Sequence, residues 1–234
     1  MKKTILVLAF AIFIVACSSK KEGNMIVQGT IKGLKKGTLY LQKIKDTLLI
    51  SVDSVTVLGD NTFKLTDNID SPIMYYLTFG NDTTNKRILF FGEKGIITIN
   101  DNIDQFGFNP KISGSKNQEI LDRFHTIRKG FQNQRLEFIK KDFEARKNKN
   151  DTLIKQLESE YKKMQKKSVL FTTNFAISNS DFEVAPYIGL TEMYDASLQM
   201  LDTVNKAMTD NIKNSVYGKQ FQKYVEDIKA KEEK

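Results

Sequence analysis

This chain of 234 residues has one cysteine, one histidine, three prolines and no tryptophan. A single cysteine excludes an internal disulfide, a CxxC redox pair and a thiolate zinc site. A single histidine excludes a multi-histidine metal centre. No glycine-rich stretch ends in the GK[ST] of a phosphate loop. No apolar run reaches the roughly 20 residues of a bilayer-spanning helix. No nucleophile is paired with a base at a recognisable spacing, so no catalytic residue, cofactor or metal is assigned. At 40% hydrophobic residues the chain can nevertheless bury a core.

Met1-Lys2-Lys3 is a short basic start, and Thr4 to Phe13 is an apolar run of about ten residues. Ile14-Val15-Ala16-Cys17 follows and resembles a bacterial lipobox. The resemblance implies a signal peptide over 1–16, cleavage before Cys17, a diacylglycerol on its thiol and an acyl chain (palmitate) on its amine. More than one acyl chain makes anchoring stable, at about 0.8 kcal/mol per buried methylene. Residues 17–24 are polar and read as a tether. No Asp follows the cysteine, which by the general sorting rule implies the outer membrane. The tether also lacks the acidic cluster of surface-exported lipoproteins, which favours a periplasm-facing lipid anchor.

The remaining chain divides in two. Ten of the thirteen glycines lie between Gly23 and Gly114. Over 25–113 short period-two apolar runs alternate with turn signals, which predicts seven or eight strands in an antiparallel β-sandwich. Gly59-Asp60-Asn61 and Gly92-Glu93-Lys94-Gly95 read as hairpin turns. From residue 114 the period becomes helical. Ile120, Phe124, Ile127 and Phe131 share a face, and Ser115 with Gln118 suggests a capping box. The helix runs to about Lys147. Asn150 or Asp151 caps a second helix carrying Leu157, Tyr161 and Met164. A hairpin over about 115–178 is followed by shorter helices over about 181–231, giving an α+β chain. Residues 25–113 hold 10 basic and 9 acidic side chains, and residues 114–170 hold 15 and 8. The positive excess therefore belongs to the helical hairpin.

His125, next to Phe124, reads as a helix-surface histidine. Asn100-Asp101-Asn102-Ile103-Asp104 has calcium-type oxygens without EF-hand spacing, and reads as a polar turn. Tyr75 and Tyr76, if exposed together, would form a ligand platform. Lys140, Lys141, Arg146, Lys147, Lys149, Lys162, Lys163, Lys166 and Lys167 form a basic face. Export argues against nucleic acid as its partner and leaves solvent, anionic headgroups or an acidic protein.

Asp53-Ser54-Val55 before Gly59 and Phe63, Pro72 before Tyr75, Ile112 to Asn117, and Val216-Tyr217-Gly218-Lys219 form a spread of short motifs. Together they resemble Bacteroidetes lipoproteins with an N-terminal β-domain of unknown function, a helical linker and a thioredoxin-like domain. This chain carries no CxxC, so the thiol–disulfide interchange of those relatives is not inherited. Five segments also resemble the O-glycosylation signal of exported Bacteroidetes proteins. Their acceptors are Thr47, Ser54, Thr83, Thr152 and Thr203, although Asp-Ser and Asp-Thr equally start turns and cap helices. The expected function is a non-enzymatic envelope lipoprotein acting as a binding or scaffold module. The alternative is an accessory half of a periplasmic thioredoxin-like oxidoreductase system, with such a protein as partner.

Overall fold

In a computed structural model of the chain, the structure describes residues 23–80 and 86–232. The signal, Cys17 and Thr83 lie outside them. Eight strands come first: β1 (Met25–Lys32), β2 (Lys36–Lys45), β3 (Leu48–Leu58), β4 (Thr62–Asp67), β5 (Ile73–Phe79), β6 (Arg87–Gly92), β7 (Gly95–Asn102) and β8 (Lys111–Ser113). They form two four-stranded sheets, ordered β4-β1-β7-β8 and β3-β2-β5-β6. Alternate residues of each sheet, among them Val27, Leu39, Leu41, Tyr75, Leu77, Phe90, Ile97 and Ile99, are fully buried between them.

Two features depart from the sequence reading. First, β1 pairs with β7 in parallel, Met25 opposite Gly95, so the first sheet is mixed. Second, neither Gly59–Asn61 nor Gly92–Gly95 closes a hairpin. Each carries the chain from one sheet to the other. At the first, Asp60 Oδ1 accepts from Thr62 N at 3.0 Å and the Gly59 amide donates to Lys35 O. Turn chemistry reverses the chain locally, but it does not say which sheet the next strand joins. The tight hairpin lies instead between β2 and β3. There Asp46 and Thr47 sit at φ 47° and 75°, the left-handed pair of a two-residue turn.

Six α-helices follow: α1 (Lys116–Lys147), α2 (Asp151–Ser178), α3 (Val184–Glu192), α4 (Leu198–Ala207), α5 (Asp210–Asn214) and α6 (Val216–Glu232). Ser115 caps α1 by accepting from Gln118 N at 3.1 Å. The reciprocal half of the capping box is missing, because the Gln118 side chain is used elsewhere. Its Oε1 accepts from Phe91 N at 2.9 Å, and its Nε2 donates to Asp122. Asn150, not Asp151, caps α2.

A second core, built on Phe124, Ile188, Leu201, Phe221 and Val225, takes Met74 and Phe91 from the outer side of the second sheet. Of the expected apolar face of α1, Ile120 and Phe124 are buried but Ile127 is 47% exposed. It lies at the edge of the stripe where Phe124, Phe131 and Phe171 pack together, and so stays open.

Candidate functional site

From Gln132 to Lys147, α1 buries only Ala145. This half of the helix, about 24 Å at 1.5 Å per residue, runs with α2 as a two-helix arm. Aromatic rings hold the arm together. At its base Phe124 stacks on Phe171 with centroids 5.8 Å apart, and Phe131 packs on Phe171 at 5.7 Å. Further out Phe138 meets Tyr161 edge-on at 5.9 Å. Open clefts of about 750 and 790 Å³ flank this seam.

Outside the seam, Leu136, Ile139 and Phe143 are 64%, 54% and 69% exposed. Their i, i+3, i+7 spacing places them on one face. Lys140, Lys141, Lys162, Lys163, Lys166 and Lys167 are exposed around the arm. Among the described residues none of these six lysines forms an ion pair, whereas Arg146 is committed to Asp142 at 2.7 Å and Glu158 at 3.5 Å. Chemically the arm offers an apolar strip in a field of unpaired cations. An apolar helix face with acidic flanks, or an anionic surface, would complement it.

The predicted tyrosine pair does not form a platform. Tyr75 is buried in the sandwich core, where its hydroxyl donates to Asp67 Oδ2 at 2.6 Å, beside Lys43 at 3.3 Å. Burial and the Asp67 carboxylate push its pKa far above the ordinary tyrosine value. Tyr76 points to the opposite face, as successive residues of a strand must, and lies under the Arg87 guanidinium at 5.2 Å.

His125 is exposed on α1. Desolvation lowers its pKa, Asp122 opposes that shift and Arg128 adds to it. No hydrogen bond joins it to a hydroxyl of a described residue. The oxygens of Asn100, Asp101 and Asn102 accept from the backbone amides of Thr30, Gly107 and Asp104. Among the described residues no group of His, Cys, Asp or Glu could hold a metal ion.

Thr47 lies at the tip of the β2–β3 hairpin, Ser54 on β3 and Thr152 in the first turn of α2, all exposed. Thr203 is exposed on α4, where its hydroxyl donates to Gln199 O at 2.7 Å. Asp53 starts no turn. It lies within β3 and accepts from Thr66 N of β4 at 3.0 Å.

A joint between the two cores was not legible in the sequence. Asn117 is 2% exposed in the first turn of α1. Its Nδ2 donates to Glu93 Oε2 at 3.0 Å and to Glu183 Oε2 at 3.1 Å, while its Oδ1 accepts from Val184 N at 2.8 Å. Glu93, in the crossover between the sheets, also accepts from Lys116 N at 2.6 Å and so serves the N-terminus of α1. Burial raises the Glu183 pKa, with Glu93 adding to the rise and Asn117 opposing it. A second joint is Tyr217, whose hydroxyl accepts from Met74 N at 2.9 Å. Its ring packs against Phe91 at 6.1 Å and Tyr187 at 5.2 Å.

Residues 25–121 match the family described as Domain of unknown function (DUF4369). The match runs from the start of β1 into the first turns of α1 and takes in the whole sandwich. No curated protein and no solved structure matches the chain.

Proposed function

We propose that this chain is a non-enzymatic envelope lipoprotein, anchored through Cys17, that works as a binding or scaffold module. The observation that supports the reading is the two-helix arm. Leu136, Ile139 and Phe143 lie exposed on it, beside lysines that have no ionic partner among the described residues. A helical arm with a solvated function would normally show polar residues on that face. The partner that fits is an envelope protein with an acidic surface and an apolar ridge, because burying the strip desolvates nearby lysines unless carboxylates meet them.

The test is photo-crosslinking in cells with the probe at Asn133, which lines the same cleft as Leu136, Lys163 and Lys167. One discrete adduct is expected. It should disappear both in Ile139→Glu and in Lys163→Glu/Lys167→Glu, with the protein still folded and in the envelope. An adduct indifferent to both changes, or none, would refute the reading. A thiol oxidoreductase as the crosslinked species would favour the accessory redox role instead.

A further inference from the structure

We propose that the tip of the β2–β3 hairpin rests in the lipid headgroup layer beside the anchor, giving the sandwich a second contact with the membrane. The proposal rests on lipidation of Cys17, part of the reading above.

The tip is apolar and uncovered: Ile44, Leu48 and Leu49 are 55%, 68% and 49% exposed. The register pairs Ile44 with Leu49 and Lys45 with Leu48. Cross-strand partners share a face and successive residues alternate, so Ile44 and Leu49 project to one side and Leu48 to the other. Burying all three therefore requires surroundings on both sides of the ribbon, which a lipid interface supplies and a flat protein surface does not. The tip also stands clear of its sheet. β2 pairs with β5 only from Leu39 to Lys43, so the residues beyond Lys43 extend past that neighbour.

Its position relative to the N-terminus selects the occupant. Lys43, one residue before Ile44, is paired with Asp67 at 2.5 Å. The Asp67 backbone packs directly against Gly23, and the Gly23 amide donates to Thr66 Oγ1 at 2.8 Å. The chain thus enters the sandwich at the end where the hairpin tip emerges. Five residues lie between Cys17 and Gly23, so the six steps reach at most about 22 Å when fully extended. A lipid on Cys17 therefore holds this end, and not the opposite one, within that distance of the bilayer. Lys45 and Asp46 cancel in charge at the tip, so the contact is apolar burial and persists at high salt.

The test uses the mature, lipidated protein in phosphatidylethanolamine–phosphatidylglycerol vesicles. The native thiol is consumed by the anchor, so Thr47→Cys carries the only reactive sulfur for an environment-sensitive fluorophore. Leu58→Cys, at the far end of β3 and 71% exposed, is the reference. At residue 47 the emission should shift to the blue and be quenched by brominated acyl chains, in low and high salt alike. At residue 58 it should remain water-like. Adding Leu48→Asp and Leu49→Asp should abolish the shift at 47 while the protein stays on the vesicles. A water-like label at 47 on lipidated, vesicle-bound protein overturns the proposal alone, as does a glycan on Thr47 in native protein. An N-terminal peptide without lipid overturns the anchor reading and this proposal together, and mass spectrometry of the same sample separates the two failures.

Discussion

Asn117 bridges Glu93, Glu183 and the Val184 amide from a buried site, so its loss should be costly. In Asn117→Ala the Val184 amide loses its acceptor inside the protein, and an orphaned buried donor costs about 1–3 kcal/mol. Glu183, 8% exposed, loses the amide donor that opposes its desolvation. Hydrogen bonds to charged groups are worth about 1.5–3 kcal/mol. Glu93 keeps the Lys116 amide and changes little. The sum is about 2.5–6 kcal/mol, or roughly 5–24 °C in melting temperature for a chain of this size.

Asn117→Asp separates hydrogen bonding from packing. One oxygen can still accept from Val184 N, but the other replaces a donor that faces two carboxylates about 3 Å away. Unit charges at 4 Å interact by about 4 kcal/mol at an effective dielectric of 20, so the variant should take up a proton instead of holding three charges. At neutral pH the Asp variant should be at least as unstable as the Ala variant. It should regain stability as pH falls toward 5, because a proton restores the donor. Thermal and urea unfolding followed by circular dichroism at pH 5 and 7.5 tests this. Equal stability of Asn117→Asp and wild type at pH 7.5, or no recovery in acid, would refute the reasoning.

Other outcomes follow from the same contacts. Gly218→Ala should destabilise strongly, since its Cβ would lie 1.8 Å from the Ile212 carbonyl oxygen, which is backbone and cannot swing aside. An unchanged melting temperature would contradict that. Burial raises the Glu183 pKa, so the folded state holds this proton more tightly than the unfolded one. Its contribution is therefore most favourable in acid and declines as pH rises through the folded value. Glu183→Gln should flatten the fall in stability between the ordinary carboxylate range and neutrality, and an unaltered pH–stability curve would count against it. Leu136→Glu and Phe143→Glu should leave stability within about 0.5 kcal/mol, as exposed sites do, while the arm's crosslink is lost. Mass spectrometry of protein from the native envelope decides glycosylation, and unmodified peptides covering Thr47, Ser54, Thr83, Thr152 and Thr203 would end that idea.

The clearest sequence signals were those whose physics is local. Ser115 and Asn150 satisfy their own helix ends within three residues, so the first cap and the length of α1 could be read directly and the second cap narrowed to Asn150 or Asp151. The exposed strip on the arm was less visible, because Leu136, Ile139 and Phe143 look like core until one knows that no third helix among the described residues covers them. Glu93, Asn117 and Glu183 gave no signal. They are separated by 24 and 66 positions, and polar residues at such distances carry no mutual periodicity.

By itself, then, the sequence determined that a strand-rich segment precedes a long helical one, where the main helices start and stop, and where the positive charge collects. Side-chain period and capping are properties of neighbouring residues. Only the tertiary structure decided that Gly59–Asn61 and Gly92–Gly95 cross between sheets, that β1 and β7 run parallel, that Tyr75 and not Tyr76 faces the sandwich core, and that the β2–β3 tip shares an end with Gly23. Each of these depends on which distant strand supplies a backbone partner. That choice is set by burying the apolar faces of both sheets at once and by pairing every buried amide, a condition on the whole chain that no short window of it contains.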